Sequence, residues 1–292
     1  MTTKSSSAGT LDCYLCGAPA TRLVVANAEY SYLKCSACGF RRRHPLPSAA
    51  EEDELYEEEY YLDRGLEADL DHQPSLMRSL IERRVQILTK LNGGPGRLLD
   101  VGAGTGLFVE ASRRAGWKAE GLETSTSAVA IASRITRAPV ALGRLEDHPA
   151  KEPLDAITLW DVLEHVPDPR ATLGLIRGML RPGGLVGVTL PNVTGIKARL
   201  LGHRWRYYRR DFGHVSHFSP RTLAMVLGQA GYRVELLETN GSFNIGRPFG
   251  LDPVSMRERH HPLNATQGLV DGLTGRLGLG ESMLAFARSA AN

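Results

Sequence analysis

The run Leu98-Leu99-Asp100-Val101-Gly102-Ala103-Gly104-Thr105-Gly106 constrains this chain more than any other stretch. Arg97 to Val101 reads as a short apolar strand, and Leu107 to Ala115 reads as a helix. Three alternating glycines force a tight turn between them. Lacking a Cβ, they let the backbone come close to a ligand. A glycine loop that follows a strand and opens a helix has the setting of a binding element. Its G-x-G-x-G spacing departs from the common dinucleotide fingerprint. An ordinary tight turn is the plain alternative.

The residues that follow alternate strand with helix. Strands are expected near Lys118–Leu122, Val140–Leu142, Asp155–Trp160, Leu185–Leu190 and Tyr232–Leu237. Helices are expected near Ser125–Arg134, Pro169–Leu180 and Pro220–Ala230. An amphipathic helix over Pro74–Leu91 should precede them, with Leu76, Leu80, Ile81, Val85 and Leu88 on one face. The alternation predicts an α/β fold, a parallel sheet with helices on both faces. Glu123 closes the second strand, where a doubly wound sheet binds ribose hydroxyls.

Four motifs now stand in order: LLDVGAGTG, the acid in GLETS, LWDVLEHVPDP and LRPGGLVGVTLPN. In these the chain resembles the class I S-adenosylmethionine-dependent methyltransferases, over roughly Leu76 to Glu238 and a last strand near the C-terminus. The resemblance implies a Rossmann-like seven-stranded sheet whose last strand, Ser282 to Arg288, is antiparallel. It implies S-adenosylmethionine as cofactor. Asp100 would contact the methionine ammonium, and Gly102, Ala103, Gly104 and Gly106 would approach the adenosyl and methionyl parts. Glu123, beside Thr124, would accept the ribose hydroxyls. Leu145 or Glu146 would read the adenine, and Asp161 would face the transferring methyl. Helix N-terminal charge is the plain alternative for Asp161 and Glu164.

The only four cysteines form two C-x2-C pairs, Cys13/Cys16 and Cys35/Cys38, eighteen residues apart. That spacing predicts a four-cysteine zinc site. Four thiolates complete the tetrahedron and leave no open position, so the zinc is expected to be structural. Two disulfides or four free thiols are the alternatives. Strands at Thr21–Ala26 and Tyr30–Leu33 would complete a zinc ribbon. Arg41-Arg42-Arg43-His44 follows the last cysteine and reads as a solvated basic edge. The organisation expected is a disordered tail over 1–10, the ribbon over 11–45, a linker and lid helix over 46–75, and the methyltransferase domain over 76–292. Tyr56, Tyr60 and Tyr61 would lie on the lid helix. Residues 241–280 would be an insertion before the last strand, with a short helix near Gln267–Leu279, shaping the acceptor pocket or a dimer contact.

Asp161, Glu164 and His165 resemble the segment of ubiquinone-biosynthesis O-methyltransferases that is tied to a divalent cation, with Asp in place of the first Glu. Carboxylate and imidazole make a plausible ligand set. Downstream, the segment Arg199 to Pro220 carries five arginines and three histidines around Trp205, Tyr207 and Tyr208, and ends in His214-x-x-His217-Phe-Ser-Pro. His214 and His217, with Asp161 and His165, are the candidate catalytic residues, since imidazole titrates near neutrality. Bracing the loop is the alternative for both histidines. The arginines suit a phosphate or carboxylate on a small-molecule acceptor, and oxygen is the expected atom methylated.

Charge is nearly balanced, 35 basic against 32 acidic residues, which argues against a nucleic-acid partner. RNA methylation through the ribbon and basic loop remains an alternative, as does a non-catalytic scaffold. No apolar run is long enough to span a bilayer, so no membrane partner is expected. Met1 to Thr10 is polar, without a secretory h-region, and a cytoplasmic location is expected.

Overall fold

A computed structural model describes residues 12–19, 21–26, 29–48, 51, 70–73, 75–136, 138–149, 152–209, 212–241 and 272–290. The expected lid tyrosines and most of the insertion lie outside these residues, as does the tail over 1–10.

The central sheet has seven strands. In chain order they are β4 (Arg97–Val101), β5 (Lys118–Glu123), β6 (Val140–Leu142), β7 (Leu154–Trp160), β8 (Leu180–Pro191), β10 (Tyr232–Asn240) and β11 (Ser282–Ser289). Their spatial order is β10-β11-β8-β7-β4-β5-β6. Strands β4 to β8 run parallel, and β11 is antiparallel to both β8 and β10. The chain steps from β4 to β5 on one side and returns to β7 on the other, opening a crevice at the strands' carboxyl ends. The glycine loop lies at that crevice. Leu98, Ala156, Ile157, Leu185 and Leu190 are fully buried, as strands covered on both faces require.

Helices α1 (Ser75–Asn92), α2 (Leu107–Arg114), α3 (Thr126–Ile135), α4 (Pro169–Met179), α5 (Ile196–Leu201) and α6 (Pro220–Gln229) surround the sheet. In α1, Ile81, Val85 and Leu88 are buried as the apolar pattern predicts, but Leu80 sits at the stripe's edge and is 39% exposed. Asp168 caps α4 by accepting from Ala171 N (3.0 Å), with Pro169 in the first turn. Ser219 and Thr222 form a reciprocal capping box on α6. Of the expected helix near Gln267–Leu279, the described part is 272–276.

A second sheet has the order β1-β2-β3-β9, with β1 Thr21–Ala26, β2 Ser31–Cys35, β3 Arg41–His44 and β9 Ser216–His217. The basic run is therefore a strand and not a solvated edge. Arg41 donates to the Tyr208 hydroxyl and Arg42 to the Pro167 carbonyl, while Arg43 pairs with Glu51 at 2.8 Å. Its third and fourth strands lie far apart in the sequence: β3 pairs Arg41 with His217 and Arg42 with Ser216. Leu15, Cys35 and Phe40 pack in the same apolar cluster as Phe218, Leu223 and Val226. Buried side chains of this size contribute about 1.5–3 kcal/mol each. The cysteine module is thus welded to the main domain.

Candidate active site

Each C-x2-C pair folds as a tight knuckle. Gly17 N donates to Cys13 O (2.8 Å) and Gly39 N to Cys35 O (3.0 Å), and both glycines adopt positive φ. The turns bring all four thiols together. Cys13 and Cys38 sulfurs lie 3.7 Å apart, Cys16 and Cys35 sulfurs 3.6 Å, and no disulfide joins them. A tetrahedron of Zn–S bonds has edges of about 3.8 Å, from a bond length of about 2.3 Å. The donor set and its spacing fit one tetrahedral ion.

The glycine loop is built from the backbone. Gly102 N and Ala103 N both donate to Leu122 O (2.8 and 3.1 Å), tying the loop to β5. Gly102 has φ 69°, and a Cβ there would stand 2.5 Å from Val162 Cγ2. Glu123 is buried, and its carboxylate accepts from Gly104 N (2.8 Å), Thr124 N (2.7 Å) and Ser125 N (2.9 Å). It thereby holds the loop's far side. Asp100 lies inside the sheet at 2% exposure and accepts from the Thr158 hydroxyl at 2.6 Å. Burial pushes its carboxyl up to about 7. On the following short turn, Leu145 points into the core while Glu146 is exposed.

Asp161 leaves β7 at the edge of the crevice, exposed, with φ 56°. Among the described residues it alone combines a side chain with the left-handed region, a strained conformation that accumulates at functional positions. Arg84, on α1, comes from a part of the chain that carried no site expectation. Its guanidinium lies over the Trp160 ring, 4.9 Å from the centroid. Burial lowers its pKa, and the Asp161 and Asp100 charges act the other way. One arginine among many on a polar helix flank carries no signal that the sequence exposes.

Beyond Asp161, ligand atoms of Glu164, His165 and His214 lie within 4.8 Å of one another. Asp161 is not part of this trio, which corrects the expected set of Asp161, Glu164 and His165. His214 takes the third place. Glu164 is buried with no hydrogen bond on either carboxylate oxygen. Burial, then the Asp161 charge, pushes its pKa well up. Burial holds His165 at about 4 despite a hydrogen bond to the Gly213 backbone. Burial, then the other two histidines, holds His214 well below the usual imidazole range. The two unpartnered oxygens and the nearby imidazoles are a donor set a divalent cation could use.

His217 lies deeper. Its ring is 4.7 Å from those of both Tyr32 and Tyr208 and 5.4 Å from Trp205, and it is 1% exposed. Trp205 and Tyr208 are themselves buried in this packing. Tyr207 instead stacks on His214, 5.0 Å between centroids at 10°. Arg206 is exposed beside Tyr207 and Phe212.

A parallel sheet closed by an antiparallel pair, with a glycine loop after its first strand and an acid after its second, defines a cofactor-binding α/β enzyme of the methyltransferase type. The model of a methyltransferase-domain family matches residues 70–237, more than half of the chain, and the chain belongs to that family. Among curated proteins it is 30% identical over 167 residues to a ubiquinone biosynthesis O-methyltransferase of Xanthomonas euvesicatoria, covering 51% of this chain and 67% of that protein. The homologue from Xanthomonas axonopodis is 28% identical over 211 residues, 66% of this chain and 85% of its own. Against the Xanthomonas campestris homologues the match spans 45% of their length. A SAM-dependent methyltransferase from Archaeoglobus fulgidus shares the fold, with a TM-score of 0.51 at 19% identity over 73% of this chain and 94% of that one. No described helix is long and apolar enough to cross a membrane.

Proposed function

We propose that this chain transfers a methyl group from S-adenosylmethionine to an oxygen of a small-molecule acceptor, bound between the glycine loop and the segment ending at His217. One observation carries the reading. A Cβ on Gly102 would stand 2.5 Å from Val162 Cγ2, so the loop after β4 abuts the turn after β7 that leads into Glu164 and His165, the two residues that meet His214. The relatives named for O-methylation support oxygen as the atom methylated.

In this reading Asp100, the backbone of Gly102 to Gly106, Glu123 and Thr124 hold the cofactor, with Leu145 packing beside the adenine. Arg84, a cation on which the Asp161 and Asp100 charges both act, meets the cofactor's carboxylate. The sulfonium leaves as a neutral thioether, so transfer needs alignment more than activation. An acceptor hydroxyl must still lose a proton. His214 is kept neutral by burial, and its Nδ1 has no hydrogen-bond partner, so it can take that proton. Glu164 Oε1 stands 3.9 Å from His214 Nε2 and faces the imidazolium that results. His217 braces this wall.

A divalent cation held by Glu164, His165 and His214 is a second reading, favoured by the two bare carboxylate oxygens. It would supply a positive charge for the acceptor oxygen. The four cysteines hold structural zinc.

The test uses the full chain, methyl-labelled S-adenosylmethionine and a small-metabolite extract, with total RNA in a parallel reaction. Label is expected in the low-mass fraction alone. Label in RNA, or S-adenosylhomocysteine binding with no label transferred, would overturn the reading.

A further inference from the structure

The segment 213–215 has no regular structure of its own to hold it until β9 begins. Its backbone groups are held from two directions. Val215 N and Ser216 N both donate to the Glu164 carbonyl, at 2.8 and 2.9 Å. From the other side, Arg43 N donates to Val215 O at 2.8 Å, and the Tyr32 hydroxyl donates to His214 O at 2.5 Å. Both of these donors belong to the cysteine module. One pair of elements, β7's exit and the module, therefore clamps the residue that faces Glu164.

We propose that Tyr32 is a positioning residue: its hydroxyl fixes the His214 carbonyl, and the cysteine module thereby forms the outer wall of the acceptor site and sets the His214 imidazole against Glu164. The inference rests on the function proposed above, since it concerns the same site.

The surroundings of Tyr32 suit this task. It is 1% exposed, and its ring is fixed by Tyr30 at 5.7 Å, Tyr208 at 4.9 Å and His217 at 4.7 Å. A ring held on three sides cannot swing its hydroxyl away, so the hydrogen bond transmits the module's position to residue 214. Burial pushes the phenol's pKa up, so the hydroxyl keeps its proton and stays a donor. Val193, just after β8, and Ala198, on α5, share one apolar cluster with Tyr30, Tyr32, Trp205 and Tyr208. The module and the acceptor segment are thus a single packed unit, not two domains that touch.

Tyr30 supplies a matched control. Its hydroxyl also donates to a backbone carbonyl of the same segment, Tyr208 O at 3.0 Å, but not at His214. The full chain, loaded with zinc and labelled with 15N-histidine, is compared as wild type, Tyr32→Phe and Tyr30→Phe at neutral pH. His214→Gln assigns the His214 imidazole signals. Tyr32→Phe is expected to shift and broaden those signals, while Tyr30→Phe leaves them in place and zinc content stays at one per chain in both. Unmoved His214 signals in Tyr32→Phe would overturn the proposal. So would equal movement in both variants, which is general loosening, and so would failure of Tyr32→Phe to fold, since a positioning hydroxyl leaves the fold standing. The parent reading is tested separately by titrating S-adenosylhomocysteine into wild type. Absence of binding heat there would remove the cofactor site without altering what the two tyrosine variants decide.

Discussion

Glu164 Oε1 faces His214 Nε2 at 3.9 Å, in the interior, across the junction between the exit of β7 and the segment that precedes β9. A buried carboxylate without partners is costly, and it persists where something else repays it. A ligand or proton at this position is the natural compensation.

If that compensation is a cation, Mn²⁺ should bind the zinc-loaded chain at one further site. Glu164→Gln and His214→Gln should each abolish that site, and Asp161→Asn should retain it within a few fold. Calorimetry with elemental analysis reads both metals. Loss of Mn²⁺ binding in Asp161→Asn alone would return Asp161 to the ligand set.

The histidine cluster also sets the acid limb of stability. His165 and His217 are held at about 4 and about 3 by burial, against an ordinary value near 6.5. A depressed histidine leaves the folded state short of protons that the unfolded state takes up. Stability is therefore complete above about pH 6.5 and falls as pH drops toward 4, by up to about 1.4 kcal/mol per pH unit for each histidine. Denaturant titrations of His217→Phe should show a shallower slope between pH 6.5 and 4 than wild type.

Asp100 acts in the opposite direction. Its carboxyl is raised by burial to about 7, so the folded state keeps a proton that the unfolded state has lost above about pH 4. This contribution weakens the fold as pH rises from 4 to 7. Asp100→Asn keeps the Thr158 hydrogen bond, so it should stabilise the protein at pH 8 while weakening S-adenosylhomocysteine binding at least tenfold by calorimetry. Unchanged affinity would remove Asp100 from the cofactor site.

Gly121 lies outside the glycine motif yet sits beneath it. A Cβ there would stand 2.7 Å from Ala103 Cβ, 3.0 Å from Val140 Cγ2 and 3.1 Å from Val109 Cγ2. Gly121→Ala should cost about 1–3 kcal/mol by overpacking and should reduce cofactor affinity by displacing Ala103. Thermal melts and calorimetry on the same preparation separate the two effects.

Cys35→Ser should release the zinc. Phe40 and Leu15 pack with Phe218 and α6, so this loss should lower the melting temperature of the whole domain and not only of the module. A main transition left unchanged would show the module to be an independent unit.

Much of this molecule could be read directly from its residues. The strand–glycine loop–helix unit at Arg97–Arg114, the cap at Ser219 and the cysteine knuckles are local: each depends on φ preferences, capping groups and spacing within a few residues. The Cys13–Cys38 and Cys16–Cys35 contacts follow from two turns and the short hairpin between them.

Tertiary packing alone settled the rest. Pairing of β3 with β9 joins residues about 175 positions apart, and no local propensity encodes such a partner. The arginines of β3 read as a water-facing edge because a charge run is usually solvated, but this one finds acceptors on Tyr208, Pro167 and Glu51. His214 replaces Asp161 in the trio with Glu164 and His165 for the same reason. A motif fixes neighbours along the chain, whereas the direction of a side chain after a left-handed turn, and what packs against it, depend on the whole fold.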